Sequence, residues 1–283
     1  MPPATPHTDC SESSTARWTG DRIRSFWTEQ AVEHGVEAEA SWTDVRVMEM
    51  ELRAIVDHLR DGQTVLDVGC ANGFSTLQFA RRKHVSITGV DYIPEMISHA
   101  NVALKSTAGD LAGEVSFAVG DATSLQFADN QFDTVVVIRV IINLGDWERQ
   151  LVGLRECVRV LRPGGTLLLS EATVQGWSRL NDLRSEWGMA AIKMPEFNNY
   201  LDQDRVADAL RPVCELVEIN NFASSYYVGT RVLKPLLGQI TARQSEVPNP
   251  LSELNRWLSM MPAAGDYGTQ KLFVFRKRLD PVD

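Results

Sequence analysis

The stretch VLDVGCANGFSTLQFA, Val65 to Ala80, constrains the fold of this chain more than any other. Val65, Leu66 and Val68 surround Asp67 as a short buried strand. Gly69 and Gly73 bracket a turn, and Phe74, Leu77, Phe79 and Ala80 begin the apolar face of a helix. A strand that ends in glycines and opens a helix lets backbone approach a nucleotide-like ligand, as α/β sheets do. Asp91 then ends a second strand, SITGVD, where a carboxylate can take both hydroxyls of a ribose.

The body keeps that alternation. Strand TVLDV is followed by a helix over 75–82, and SITGVD by a helix that starts at Pro94, a residue suited to a first helical turn. VSFAVGD, the strand from Phe132 (FDTVVVIRV), a helix over 147–161, a turn at Pro163-Gly164-Gly165 and the strand TLLLSEA complete the regular part. Strands alternating with helices require a mostly parallel sheet covered on both faces. Two helices precede it, one from Arg22 and one from near Trp42 to Leu59. After Glu171 the regularity breaks into a helical lid over 173–201, a helix over 202–210, the strand CELVEINNF, an irregular insertion over 223–265 and a final antiparallel strand KLFVFRKR.

Composition narrows the partners. Net charge is −9, with 37 acidic against 28 basic residues, which argues against a broad nucleic-acid face. Cys10, Cys70, Cys157 and Cys214 are scattered without metal-ligand spacing, so no metal site and a reducing, cytoplasmic setting are expected. No apolar run is long enough to cross a bilayer and no leader pattern opens the chain, so no membrane partner is expected. Residues 1–16 (MPPATPHTDCSESSTA) have little to bury and read as a disordered tail.

Beyond the glycine turn and Asp91, Gly120-Asp121-Ala122 follows the third strand, where a carboxylate can accept from an adenine amino group or simply close a turn. Arg139 and Asn143 lie just past the fourth strand, at the edge that faces the cleft of a doubly wound sheet. With these residues in place the chain resembles the class I S-adenosylmethionine-dependent methyltransferases, firmly over 65–172 and loosely outside. VLDVGCANG resembles the family's first motif, Asp91 its ribose-holding acid and Gly120-Asp121-Ala122 its adenine-side motif. Phe132-Asp133 and the LRPGG turn match as structural features. The middle of the loop departs from the pattern: Ala71 stands where many members have glycine, a change that binding should survive. The resemblance implies a Rossmann-like, doubly wound α/β fold with a mostly parallel seven-stranded sheet, N-terminal helices and helical lid insertions. It implies S-adenosyl-L-methionine as cofactor, held by Asp67, Gly69, Ala71, Gly73, Asp91, Tyr92, Asp121, Ala122 and Arg139. The expected organisation is a helical cap over 17–60 and a methyltransferase domain over 61–283 with insertions near 173–201 and 223–265.

In such a fold the acceptor side lies after strands four and five and in the lid. Glu171 ends strand five and is the candidate general base, with loop capping as its structural alternative. Asn143, Asn181, Arg184, Asn199, Tyr200, Tyr226, Tyr227 and Arg231 are the candidate substrate contacts, amides for hydroxyls and rings for stacking. His7, His34, His58, His84 and His99 read as tail, structural or solvated residues, and Trp27 and Trp42 as helix packing or a border of the site. The expected activity is O- or N-methylation of a small polar metabolite such as a sugar or nucleoside, by a soluble protein for which a homodimer stays open. Arg184, Arg231 and Lys234 could meet a phosphate or carboxylate, and three alternatives remain: C-methylation of a prenyl diphosphate with Glu171 as base and the arginines on the diphosphate, a nicotinamide-dependent oxidoreductase, and a non-catalytic cofactor binder.

Overall fold

The computed structural model describes residues 20–36, 44–107, 109–240 and 251–279. The expected tail over 1–16, with His7 and Cys10, and the residues Trp18 and Trp42 lie outside the described residues. Among those described, one sheet of seven strands runs through the molecule: β1 (Thr64–Val68), β2 (Ser86–Asp91), β3 (Glu114–Val119), β4 (Phe132–Ile138), β5 (Leu161–Ala172), β6 (Cys214–Asn220) and β7 (Gln270–Lys277). Its order is β3-β2-β1-β4-β5-β7-β6. β7 runs antiparallel between β5 and β6 and the remaining pairs are parallel. The helices are α1 (Gly20–His34), α2 (Val45–Val56), α3 (Phe74–Arg82), α4 (Pro94–Thr107), α5 (Trp147–Val160), α6 (Val174–Glu186), α7 (Gln203–Leu210), α8 (Ser224–Val228), α9 (Lys234–Ile240) and α10 (Glu253–Leu258).

The sheet has a core on each face because its central strands are buried at consecutive positions rather than alternating. Val135 and Val137 of β4 face one layer with Leu167 and Leu169 of β5, Phe273 and Phe275 of β7, and Leu154 and Val158 of α5. Val136, Leu168, Leu272 and Val274 face the other, with Leu52 and Ile55 of α2, Phe79 of α3 and Tyr226 of α8. Asp133 joins β4 to β1: its Oδ2 accepts from both Thr64 N and Thr64 Oγ1 at 2.8 Å.

Two segments differ from the sequence expectation. LRPGG is not a free turn but the bulged start of β5, where pairing steps from Leu161↔Phe132 to Thr166↔Thr134. The region after Ala223 is largely helical rather than irregular: α8 passes through a π-turn at Gly229–Leu233 into α9. The wider turn shifts the register of the apolar residues, which hides the 3.6-residue period in the sequence. The lid insertion is α6 followed by an extended loop, and its two ends meet where Val174 N donates to Leu201 O and Leu201 N to Ala172 O, at 2.9 and 3.0 Å.

Candidate active site

All the parallel strands end on one side of the sheet, and there a single cavity of about 560 Å³ opens. Its lining falls into two groups. One comes from the ends of β1, β2 and β3, with Asp67, Gly69, Ala71, Asp91, Tyr92, Asp121 and Ala122. The other lies over the ends of β4, β5 and β7, with Arg139, Asn143, Tyr200, Tyr227, Thr269 and Gln270.

The first group is a cradle shaped by backbone. Gly69 and Gly73 have φ of +72° and +79°. A Cβ on Gly69 would lie 2.1 Å from Val140 Cγ2, and one on Gly73 2.6 Å from the Phe117 ring, so no other residue fits either position. Ala71 also sits in the left-handed region, at φ +47°, a conformation that costs an alanine roughly 1–2 kcal/mol. Its N–H donates to Asp91 Oδ2 at 3.0 Å, and Ile93 N–H donates to Asp91 Oδ1 at 2.9 Å. Asp91 is thereby held at the cavity wall, and each of its oxygens keeps acceptor capacity for a ligand hydroxyl. Asp67 accepts from Thr76 Oγ1 at 2.6 Å. Burial pushes the carboxyls of Asp67 and Asp91 up to about 7 and about 6. Two buried carboxyls with raised values are suited to a ligand that brings positive charge with it. Asp121 closes a turn, its Oδ1 accepting from Thr123 N and Thr123 Oγ1 at 2.7 Å, while it and Ala122 line the cavity. S-adenosylmethionine, with its sulfonium, ribose and adenine, fits this donor and acceptor set.

The second group rests on residues that are remote in sequence. Arg139, at φ +54°, ion-pairs through Nη1 with Glu51 Oε2 at 2.5 Å. Glu51 Oε1 in turn accepts from Ser170 Oγ at 2.5 Å and Gln270 Nε2 at 3.0 Å. One buried carboxylate on α2 thus orients two side chains of the cavity floor. The mouth is closed by rings: Trp27 and Phe197 both line the cavity, and Phe26 lies against each of them, with centroids 5.1 and 4.9 Å away.

Several residues expected at the site have other work. Glu171 is fully buried and is not part of the cavity lining. Its Oε1 accepts from Val140 N at 2.8 Å and Ile141 N at 2.7 Å, so it caps the turn after β4 instead of facing an acceptor. Burial pushes its carboxyl up to about 8. Asn181 holds Ile192 through both amide atoms, and Arg184 donates to the carbonyls of Ala190 and Arg231. Asn199 clips the lid loop onto the turn after β4, with Nδ2 to Gly145 O and backbone N to Ile142 O, both 2.8 Å. Tyr226 is sealed and donates to Asp44 Oδ1 at 3.0 Å, and Arg231 ion-pairs with Asp44 Oδ2 at 2.7 Å. None of these six residues lines the cavity. The cavity does take Asn143, Tyr200 and Tyr227 from the expected set. Neither His58, His84 nor His99 reaches it. Glu51, Phe197, Thr269 and Gln270 escaped the sequence reading. Only Glu51 carried a signal: a carboxylate three and four residues from Met48 and Ile55 on the apolar stripe of a helix needs a buried partner.

The cations expected to hold a diphosphate do not line the cavity: Arg184, Arg231 and Lys234 are engaged in other contacts, Lys234 Nζ with Asn255 Oδ1 at 3.0 Å. The strand order, with β7 inserted antiparallel between β5 and β6, differs from the 3-2-1-4-5-6 order of the doubly wound nicotinamide-binding fold. Among the described residues no helix is long and apolar enough to cross a membrane, and no group of three His, Cys, Asp or Glu is arranged to hold a metal ion.

Comparison with known proteins agrees with the geometry. Residues 65–165 match a family model described as a methyltransferase domain. The chain is 27% identical to O-methyltransferase resE of Aspergillus sclerotiorum over 197 residues, 65% of this chain and 72% of that protein. It is 34% identical to methyltransferase GfsG of Streptomyces halstedii over 115 residues, which is 41% of this chain and 40% of that one, well under two thirds of the relative's length. In fold it is similar to a SAM-dependent methyltransferase of Methanosarcina mazei, with a TM-score of 0.53 at 20% identity over 80% of this chain and 98% of that one. Sheet order, glycine cradle and these similarities agree: residues 65–165 match a methyltransferase domain, and the chain resembles the class I S-adenosylmethionine-dependent methyltransferases.

Proposed function

We propose that the protein transfers a methyl group from S-adenosylmethionine to a hydroxyl or amine on a small, ring-bearing metabolite. The observation that carries this reading is the continuity of one cavity from the glycine cradle to a chamber over β4, β5 and β7 that is bordered by aromatic rings. Trp27, Phe197, Tyr200 and Tyr227 favour a planar or ring-shaped body, more than the sugar that the lid's polar residues had suggested. Of the polar residues on which that suggestion rested, Asn181, Arg184 and Asn199 are spent on holding the lid, while Asn198 lines the cavity.

In this reading Asp91 takes the ribose hydroxyls, Asp121 and Ala122 border the adenine, and the methionine end lies over Gly69 beside Asp67. The bound cofactor supplies a methyl group already activated on a sulfonium, so the protein's own task is to align the acceptor and keep water out. The ring closure between α1 and the lid loop does the second. No histidine lines the chamber among the described residues, which favours acceptors that need little help losing a proton, such as phenols and amines. The relationship to an O-methyltransferase, resE, points the same way.

Calorimetric titration with S-adenosylhomocysteine and with NAD tests the cofactor half, and release of S-adenosylhomocysteine from S-adenosylmethionine with a panel of phenols, aromatic amines and sugars tests the other. Turnover of the sugars alone would sink the ring-bearing acceptor, and binding of NAD alone would sink the methyl-transfer reading.

A further inference from the structure

Tyr226 and Tyr227 are adjacent on α8, yet the fold treats them differently. The Tyr226 hydroxyl is consumed below the surface, donating to Asp44 Oδ1 at 3.0 Å and accepting from Asn255 Nδ2 at 3.2 Å. Tyr227 turns the other way and lines the cavity beside Thr269 and Gln270. Its hydroxyl is bonded to the Thr269 side chain. A phenolic hydroxyl both donates and accepts, so one such bond leaves it able to make another.

The ring of Tyr227 is braced from behind. The Arg231 guanidinium lies 4.5 Å from its centroid, and its Nη2 is 2.7 Å from Asp44 Oδ2. Asp44 is itself fixed as the N-cap of α2, accepting from Val47 N at 3.3 Å. The π-turn Gly229–Leu233 carries Arg231 to this position, with Thr230 Oγ1 donating to Tyr226 O at 2.6 Å. Position 229, where the turn begins, is glycine and packs closely on α10: a Cβ there would lie 2.4 Å from the Leu258 side chain. π-turns interrupt helices mostly at functional sites. The desolvated cation, the carboxylate and the π-turn all bear on one tyrosine, and that tyrosine sits over the β5 and β7 ends, on the far side of the cavity from Asp91.

We propose that the Tyr227 hydroxyl receives the reacting hydroxyl of a ring-bearing acceptor, and that Arg231, held by Asp44, is the positioning residue that keeps it aimed, an assignment that rests on the methyl-transfer reading above. The acceptor class is thereby a phenol: its ring lies among Tyr200, Phe197 and Trp27, and its hydroxyl exchanges a hydrogen bond with Tyr227.

The test uses 4-fluorophenol and fluorobenzene as probes, with the full chain saturated with S-adenosylhomocysteine and binding read by fluorine NMR. The wild type should bind 4-fluorophenol more tightly than fluorobenzene. Tyr227→Phe should weaken 4-fluorophenol by about 2- to 12-fold, the range of one net hydrogen bond, and leave fluorobenzene unchanged. Arg231→Met should weaken 4-fluorophenol as well, and Arg231→Lys should recover part of the loss. Equal binding of 4-fluorophenol by wild type and Tyr227→Phe, or no preference of the wild type for the hydroxylated probe, overturns the assignment. Loss of S-adenosylhomocysteine binding in Tyr227→Phe would place the residue against the cofactor and overturn it too. Failure of the wild type to bind S-adenosylhomocysteine would instead sink the methyl-transfer reading.

Discussion

The two halves of the cavity are built in opposite ways. The cofactor half comes from one continuous stretch, Asp67 to Ala122, and its shape is set by backbone: two glycines with positive φ, a carboxylate held by two N–H groups and a turn closed by Asp121. The half we assign to the acceptor is lined by Trp27, Arg139, Asn143, Phe197, Tyr200, Tyr227 and Gln270, which come from α1, the turn after β4, the lid loop, α8 and β7, with Arg139 and Gln270 held by Glu51 of α2. A backbone cradle is a local motif and survives wide changes elsewhere. A chamber of converging side chains depends on each partner and on the packing that places it.

The comparison can be broken most sharply from a distance. Glu51 does not line the cavity, yet Glu51→Ala removes the carboxylate that pairs with the half-buried Arg139 and releases Ser170 and Gln270. Removing one member of a buried pair should destabilise by about 3–5 kcal/mol in urea unfolding. A loss under about 1 kcal/mol would mean that the acceptor half does not depend on α2. Next in size is Gly69→Ala, which forces a Cβ onto Val140 in a left-handed turn. It should weaken S-adenosylhomocysteine by roughly 100-fold in calorimetry, with stability less affected. Asp91→Asn keeps shape but removes charge, and should weaken the same ligand by about 10-fold.

Acidity offers a smaller, graded test. Burial raises the folded-state values of Asp67, Asp91 and Glu171 to about 7, 6 and 8, whereas an unfolded carboxylate titrates near 4. The folded protein therefore binds more protons than the unfolded chain between those limits. The stability these groups contribute is fully present below about pH 4 and is lost as pH rises through 6 to 8. The melting temperature of the cofactor-free protein should fall between pH 5 and pH 8, and saturating S-adenosylhomocysteine should reduce the fall. A melting temperature that rises over that interval contradicts the burial argument. The smallest effect is expected for Glu171→Gln, which preserves the acceptor for Val140 N and Ile141 N. Turnover should stay within about twofold, whereas a general base would lose on the order of 100-fold or more.

The sheet and the cofactor half were legible because their signals are local. Apolar strands, the Gly69 to Gly73 turn and strand-end aspartates repeat at short spacing, and the structure puts each where that spacing predicts. The acceptor half was legible only in part. Asn143, Tyr200 and Tyr227 reach the cavity, but Asn181, Arg184, Asn199, Tyr226, Arg231 and Glu171 do not. All nine are polar or titratable residues that end β5 or follow β4, β5 or β6 along the chain. What separates them is where their hydrogen-bond partners sit, and those partners, such as Ile192 for Asn181 or Asp44 for Arg231, lie at distances no periodicity encodes.

The amino-acid sequence by itself determined the fold class and the cofactor, since turn geometry and strand order depend on residue types a few positions apart. The tertiary structure alone decided which polar residues face the acceptor. A side chain points toward whichever partner best satisfies it, and only packing of α1, α2 and the lid onto the sheet brings Glu51 to Arg139, Phe26 to Phe197 and Arg231 to Tyr227.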